Sequence, residues 1–238
     1  MTTKSSFPKR ILILVTLFSI AMGFFESAVV IYMREILYPE GFDFPLAPIE
    51  IHLAITEILR EAATMIMLIC IGIIAGKNLS TRFAWFIYSF AIWDIFYYIF
   101  LKLLINWPES LMTWDILFLI PITWVGPVIT PVIVSLTMIL LSVVIIFFSG
   151  TRDGIGIKPL EWTLLIAGSI ILILSWTWDY SGYILEHYSF GEIWTIPKDD
   201  LYAVAQQYIP RKFNWGMFCI GEAVILSGIS ILFIRLRK

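Results

Sequence analysis

Long, nearly unbroken apolar runs constrain this chain more than any motif does. In hydrocarbon, every backbone N–H and C=O must be satisfied within the protein, so a run of about 20 apolar residues has to be a helix. The runs are too long, and alternate too little, for the strands of a β-barrel. Only 14% of the 238 residues are charged and 60% are hydrophobic, against about 25% charged in soluble domains. The expected fold is an all-α integral membrane protein: a single transmembrane domain over 1–238 built as a six-helix bundle.

The spans read as 11–36, 54–76, 83–105, 127–149, 161–185 and 214–234. Region 111–149 is too long for one span at about 1.5 Å per residue, and Pro121, Pro127 and Pro131 break it. A short segment at 111–120 is therefore placed at the interface before span 4, with Pro127 in the first turn of that span. Between spans 5 and 6, Asp199–Tyr208 reads as a short amphipathic surface helix capped by Asp199. The first run follows Lys4, Lys9 and Arg10 like a signal peptide. It is too long for one and carries Glu26, so it reads as a retained span.

Charge sets the orientation. With the N-terminus in the cytoplasm, the cytoplasmic segments hold Lys4, Lys9, Arg10, Lys77, Arg82, Arg152, Lys158, Arg235, Arg237 and Lys238, ten of the sixteen Lys and Arg. Only Asp153 and Glu161 oppose them, while Glu40, Asp43, Glu50, Glu109, Glu186, Glu192, Asp199 and Asp200 fall in outer loops. This satisfies the positive-inside rule at every inner segment. The expected location is the cytoplasmic membrane, with both termini inside and membrane lipid as a partner.

The ionisable residues within and beside the spans carry the functional signal. They are Glu26, Arg34, Glu57, Arg60, Glu61, Asp94, Lys102, Asp115, Asp179 and Glu222. A charge at mid-membrane costs a few kcal/mol or more unless paired or hydrated, so these side chains should face the bundle interior. They lie in the middle and outer parts of the spans, whereas inner stretches such as Ile139–Phe148 are apolar. That gradient predicts an acid-rich cavity open to the outside. Glu57 and Glu61 share a helix face at i,i+4, as do Asp94 and Tyr98. Arg60 and Lys102 are expected to pair with acids of neighbouring spans, but these two cations cannot neutralise Glu26, Glu57, Glu61, Asp94, Asp179 and Glu222 together.

Three functions fit. Raised-pKa acids could bind a cation or polar headgroup for transport or ion coupling, with Leu119–Ile133 as a broken segment lending carbonyls. No polar exit is visible on the inner side, so a second copy or another membrane subunit would have to supply one. Alternatively, Glu26, Glu57, Glu61, Asp94 and Glu222 hold a hard divalent cation (Mg, Mn, Ca or Fe) in an intramembrane enzyme acting on a lipid or amphiphile. Thirdly, buried ion pairs make a structural membrane subunit. Two histidines, His52 and His187, both in or beside outer loops, suit zinc and haem poorly. Phosphate-binding Gly loops and Gly-x-Ser-x-Gly elbows do not occur, and the acidic balance argues against nucleic acid. Cys70 and Cys219 read as buried, inert thiols.

The runs Tyr32-Met-Arg-Glu-Ile-Leu-Tyr-Pro-Glu-Gly-Phe, Leu59-Arg-Glu-Ala-Ala-Thr, Trp93-Asp-Ile-Phe-Tyr-Tyr and Trp114-Asp through Pro131 resemble a group of small polytopic prokaryotic membrane proteins with no established activity. The resemblance covers most of spans 1–4. It implies that these segments build one shared site, and it carries over no catalytic role.

Overall fold

The structure is a computed structural model and describes residues 8–150 and 156–238. Lys4, Arg152 and Asp153, counted above for orientation, lie outside the described residues, as do the side chains of Trp194, Lys198 and Asp199. Among the described residues six helices are long and apolar enough to cross a membrane: α1 (Lys9–Leu37), α2 (Ile51–Ala75), α3 (Leu79–Ile105), α4 (Ile129–Ser149), α5 (Pro159–His187) and α7 (Trp215–Arg237). A short helix, α6 (Lys198–Gln206), precedes α7.

Local chemistry fixes the helix ends. Asn78 accepts a hydrogen bond from the Thr81 amide at 2.9 Å while the Thr81 hydroxyl accepts from the Asn78 amide at 3.0 Å, a reciprocal cap that starts α3. Asn106, in the left-handed region at φ 54°, ends it. Pro159 opens α5, where no intrahelical N–H partner is needed. The Asn214 side chain accepts from the Met217 amide at 3.1 Å and caps α7.

The segment before α4 is a β-hairpin. Strand β1 (Trp114–Phe118) pairs antiparallel with β2 (Trp124–Pro127), with a bulge between Ile116 and Phe118. This corrects two expectations. Pro127 ends β2 and lies outside α4; Pro131 occupies the first turn of α4 instead. The proline-rich stretch is therefore a hairpin plus helix start, not a broken helix. Likewise α6 begins at Lys198 after Pro197, so Asp199 stands inside its first turn and not before it.

Helix α3 is the centre of one half, packed by α1, α2 and α4. It is the most buried of the six spans, although Leu79, Leu103 and Leu104 near its ends are exposed. Helices α5 and α7 pair along their lengths, joined to the rest through α4 and the hairpin. Close approach needs glycine where α1 and α2 cross α3. A Cβ on Gly23 of α1 would stand 2.9 Å from the Trp93 carbonyl of α3. One on Gly72 of α2 would stand 2.7 Å from the Arg82 carbonyl. The Gly72–Gly76 pattern thus packs against the next helix of the same chain.

The main core lies towards the end of the bundle that holds the α2–α3 and α4–α5 links, with Trp85, Ile87, Leu141, Ile145, Leu165 and Leu232 among its members. Polar contacts there are neutral: Thr16 with Tyr88 at 2.8 Å and Ser19 with Ser89 at 2.8 Å. The charged exception, Glu161 with Arg235 at 2.6 Å, sits at the extreme of this end. Cys70 and Cys219 are exposed on the bundle surface, contrary to expectation. The opposite end carries the α1–α2 loop, the hairpin and α6.

Candidate functional site

The loop-bearing end encloses a chamber of about 370 Å³, within the range of small-molecule sites. Its walls come from α1, α2, α3 and the hairpin, with Tyr180 of α5 and Tyr202 of α6. Eight of the predicted residues line it: Glu26, Arg34, Glu57, Arg60, Glu61, Asp94, Tyr98 and Asp115. The helices bring them together by register. Gly23 lets α1 lie against α3, so Glu26, three residues on, faces the space beside Trp93 and Asp94. In α2 the buried positions Glu61, Thr64, Leu68 and Gly72 form one narrow stripe at helical spacing.

Two charge networks occupy the chamber wall. In one, Arg60 joins both carboxylates that it can reach, Glu26 of α1 and Glu57 of its own helix, with its Nε 2.9 Å from Glu57. In the other, Arg34 Nη2 donates to Asp115 at 3.3 Å, and the Tyr98 hydroxyl donates to the other Asp115 oxygen at 3.1 Å. Asp115 is 2% exposed. Burial pushes its carboxyl up to about 6, against the opposing pull of Arg34 and Tyr98. The Arg34 guanidinium also lies over the rings of Trp107 and Phe42, 3.7 Å and 4.4 Å from their centres. Its Nη1 is buried with no hydrogen-bond acceptor.

Two chamber acids have only neutral donors. Glu61 accepts from the Leu119 amide of the hairpin turn at 3.0 Å. Asp94 accepts from the Ser135 hydroxyl of α4 at 2.8 Å.

Three predicted residues sit elsewhere. Lys102 meets no acid. Its Nζ donates to the Asn106 and Pro108 carbonyls at 3.3 and 2.9 Å, tying down the end of α3. Asp179 accepts from the Tyr208 hydroxyl at 2.7 Å and from the Arg211 amide at 2.9 Å, pinning the segment before α7 to α5. Glu222 is buried between α7 and α4, where it accepts from the Thr137 hydroxyl at 2.9 Å. Of the five acids proposed as metal ligands, Glu26 and Glu57 share Arg60, Asp94 is on Ser135, Glu61 on the hairpin and Glu222 outside the chamber. Among the described residues no three His, Cys, Asp or Glu side chains are grouped to hold a metal ion.

The roof comes from the two long connections, residues 38–53 and 186–213. Tyr38, Phe42, Leu46 and Ile49 of the α1–α2 connection, with Tyr202 and Gln206 of α6, close over the chamber. The Tyr202 hydroxyl donates to the Ile49 carbonyl at 2.6 Å, and the Tyr38 hydroxyl accepts from the Ala47 amide at 2.8 Å. The Phe44 and Tyr208 rings meet edge to face at 6.2 Å. Length is the signal of this roof in the sequence, since connections of this size between spans can fold over the bundle mouth; the residues that close it cannot be picked out from length alone. No family model, curated protein or solved structure matches the chain.

Proposed function

We propose that this protein lies in the cytoplasmic membrane with both termini in the cytoplasm, and that its chamber faces outward and binds the polar end of an amphiphile. The distribution of basic residues supports the orientation. One observation carries the binding reading: a single chamber joins a charged lining, from Glu26 and Arg60 to Asp94 and Asp115, with apolar walls from Val30, Met33, Ile58, Ile116 and Leu117. A headgroup fits the first and an apolar body the second. Transport of a free ion has less support, because the polar contacts of the far half among the described residues are local, such as Thr16 with Tyr88 and Ser19 with Ser89. A metal-dependent reaction has less support as well, because the carboxylates do not converge.

The ion pairs favour a second reading, a structural membrane subunit. Each chamber guanidinium already has a carboxylate partner, and removing one member of such a pair is strongly destabilising. The two readings part in one experiment. Protein in nanodiscs is heated with and without short-chain cationic, zwitterionic, anionic and neutral amphiphiles. Ala54→Trp, which places an indole in the chamber, serves as the blocked control. Binding to the folded state raises its stability by about 2.7 kcal/mol at 100 times Kd. A binding function therefore predicts a rise in Tm of several degrees for at least one amphiphile, lost in A54W. No shift with any amphiphile leaves the structural reading.

A further inference from the structure

We infer that the chamber selects an organic cation: a protonated or quaternary amine with an apolar body, its charge balanced by the carboxylates that Glu61 and Asp94 add to the chamber wall. The inference rests on the reading of the chamber as a binding site.

The charge inventory comes first. Glu26, Glu57, Glu61, Asp94 and Asp115 line the chamber against Arg34 and Arg60 alone. Arg60 is engaged by Glu26 and Glu57, and Arg34 by Asp115. Glu61 and Asp94 remain, each with one neutral donor on one oxygen. Among the described residues no donor reaches Oε1 of Glu61 or Oδ1 of Asp94. In a low-dielectric setting such groups call for a counter-charge. An anionic ligand would meet this surplus of carboxylates and two guanidinium groups that are already occupied.

The surroundings favour an organic ion over a bare metal. Trp93, Tyr97 and Tyr98 line the same wall, and aromatic faces attract ammonium groups desolvated among them by about 2 kcal/mol or more. A divalent ion needs several converging oxygens, and none of the described acids is grouped so. Arg34 lines the same chamber, but Asp115, Trp107 and Phe42 hold it and its Nη1 is sealed from the space, so it offers a ligand no free donor.

The test uses benzoylcholine, which combines an aromatic body, an ester and a quaternary ammonium, and 3,3-dimethylbutyl benzoate, the same shape with carbon in place of the charged nitrogen. Affinity of each for the full chain in nanodiscs is measured by calorimetry. The expected result is at least tenfold tighter binding of the cation. The double variant Glu61→Gln/Asp94→Asn should erase that preference while keeping its affinity for the neutral ester, which reports an intact chamber. Glu222→Gln, an acid outside the chamber, should leave the preference unchanged. Equal affinity of wild type for both esters, or a preference that survives the double variant, overturns the cation assignment and leaves the amphiphile site standing. Binding of neither ester, with no amphiphile shift in the heating experiment, overturns both. If the double variant does not fold, Asp94→Asn alone and the wild-type comparison decide.

Discussion

The guanidinium of Arg34 lies over the faces of Trp107 and Phe42 and turns an edge to Asp115. A planar, delocalised cation can stack and donate at once; a lysine ammonium cannot. Arg34→Lys is expected to lower stability by about 1–3 kcal/mol, and Trp107→Leu by about 0.5–2 kcal/mol, both read as a fall in Tm. Asp115 gives a pH prediction. Its carboxyl sits at about 6 in the folded protein against an ordinary 3.8. The folded state thus holds this proton more tightly than the unfolded state does. The resulting stabilisation is complete below about pH 4 and is lost as pH rises through about 6, a change of about 3 kcal/mol. Wild type should therefore lose stability relative to Asp115→Asn between pH 4 and 6, and the difference should be flat above 7. The opposite slope would mean that the attraction of Arg34 outweighs burial.

Among the six long helices, α2 is the least buried. Its buried stripe is narrow, and Ile55, Leu59, Ile66, Met67, Ile73 and Ile74 are exposed, as suits a surface bathed in lipid. Its seat on α3 depends on the absence of a side chain at Gly72. Gly72→Ala should push the helices apart at a cost of about 1–3 kcal/mol. Gly216→Ala in the first turn of α7, where a Cβ meets nothing closer than 3.6 Å, should be nearly neutral; thermal melts of the two variants make the comparison. The helices were legible because hydrocarbon permits one local structure for such runs. The hairpin was not, since Pro121 and Pro127 announce a break in a helix without saying what replaces it. Its short strands take their stability from tertiary partners, such as the stacking of Trp124 on Trp176 at 5.6 Å. Side-chain pairing divided the same way. The Glu57–Arg60 pair lies within one turn and follows from spacing. Arg60 also pairs across spans, as its place in the sequence leads one to expect, but that the partner is Glu26 depends on how α1 and α2 lie across α3; Lys102 has nearby carbonyls in place of a distant acid.

For the whole molecule, the proposed orientation can be read by labelling. In a background with Cys70→Ser and Cys219→Ser, Glu50→Cys should react with a membrane-impermeant maleimide in intact cells. Lys77→Cys should react only after permeabilisation, and the reverse pattern would invert the protein. The roof is testable at the same scale. Tyr202→Phe removes the hydrogen bond to the Ile49 carbonyl, which should speed ligand exchange severalfold with little change in Tm, as followed by stopped-flow Trp fluorescence.

On the proposed reading the chamber meets one face of the bilayer, and the packed half beneath it, where Trp85, Leu141 and Ile145 interlock, separates it from the other. Occupancy then follows the concentration on that one face, and energising the membrane should leave it unchanged; a change in occupancy on energising would favour the transport reading instead.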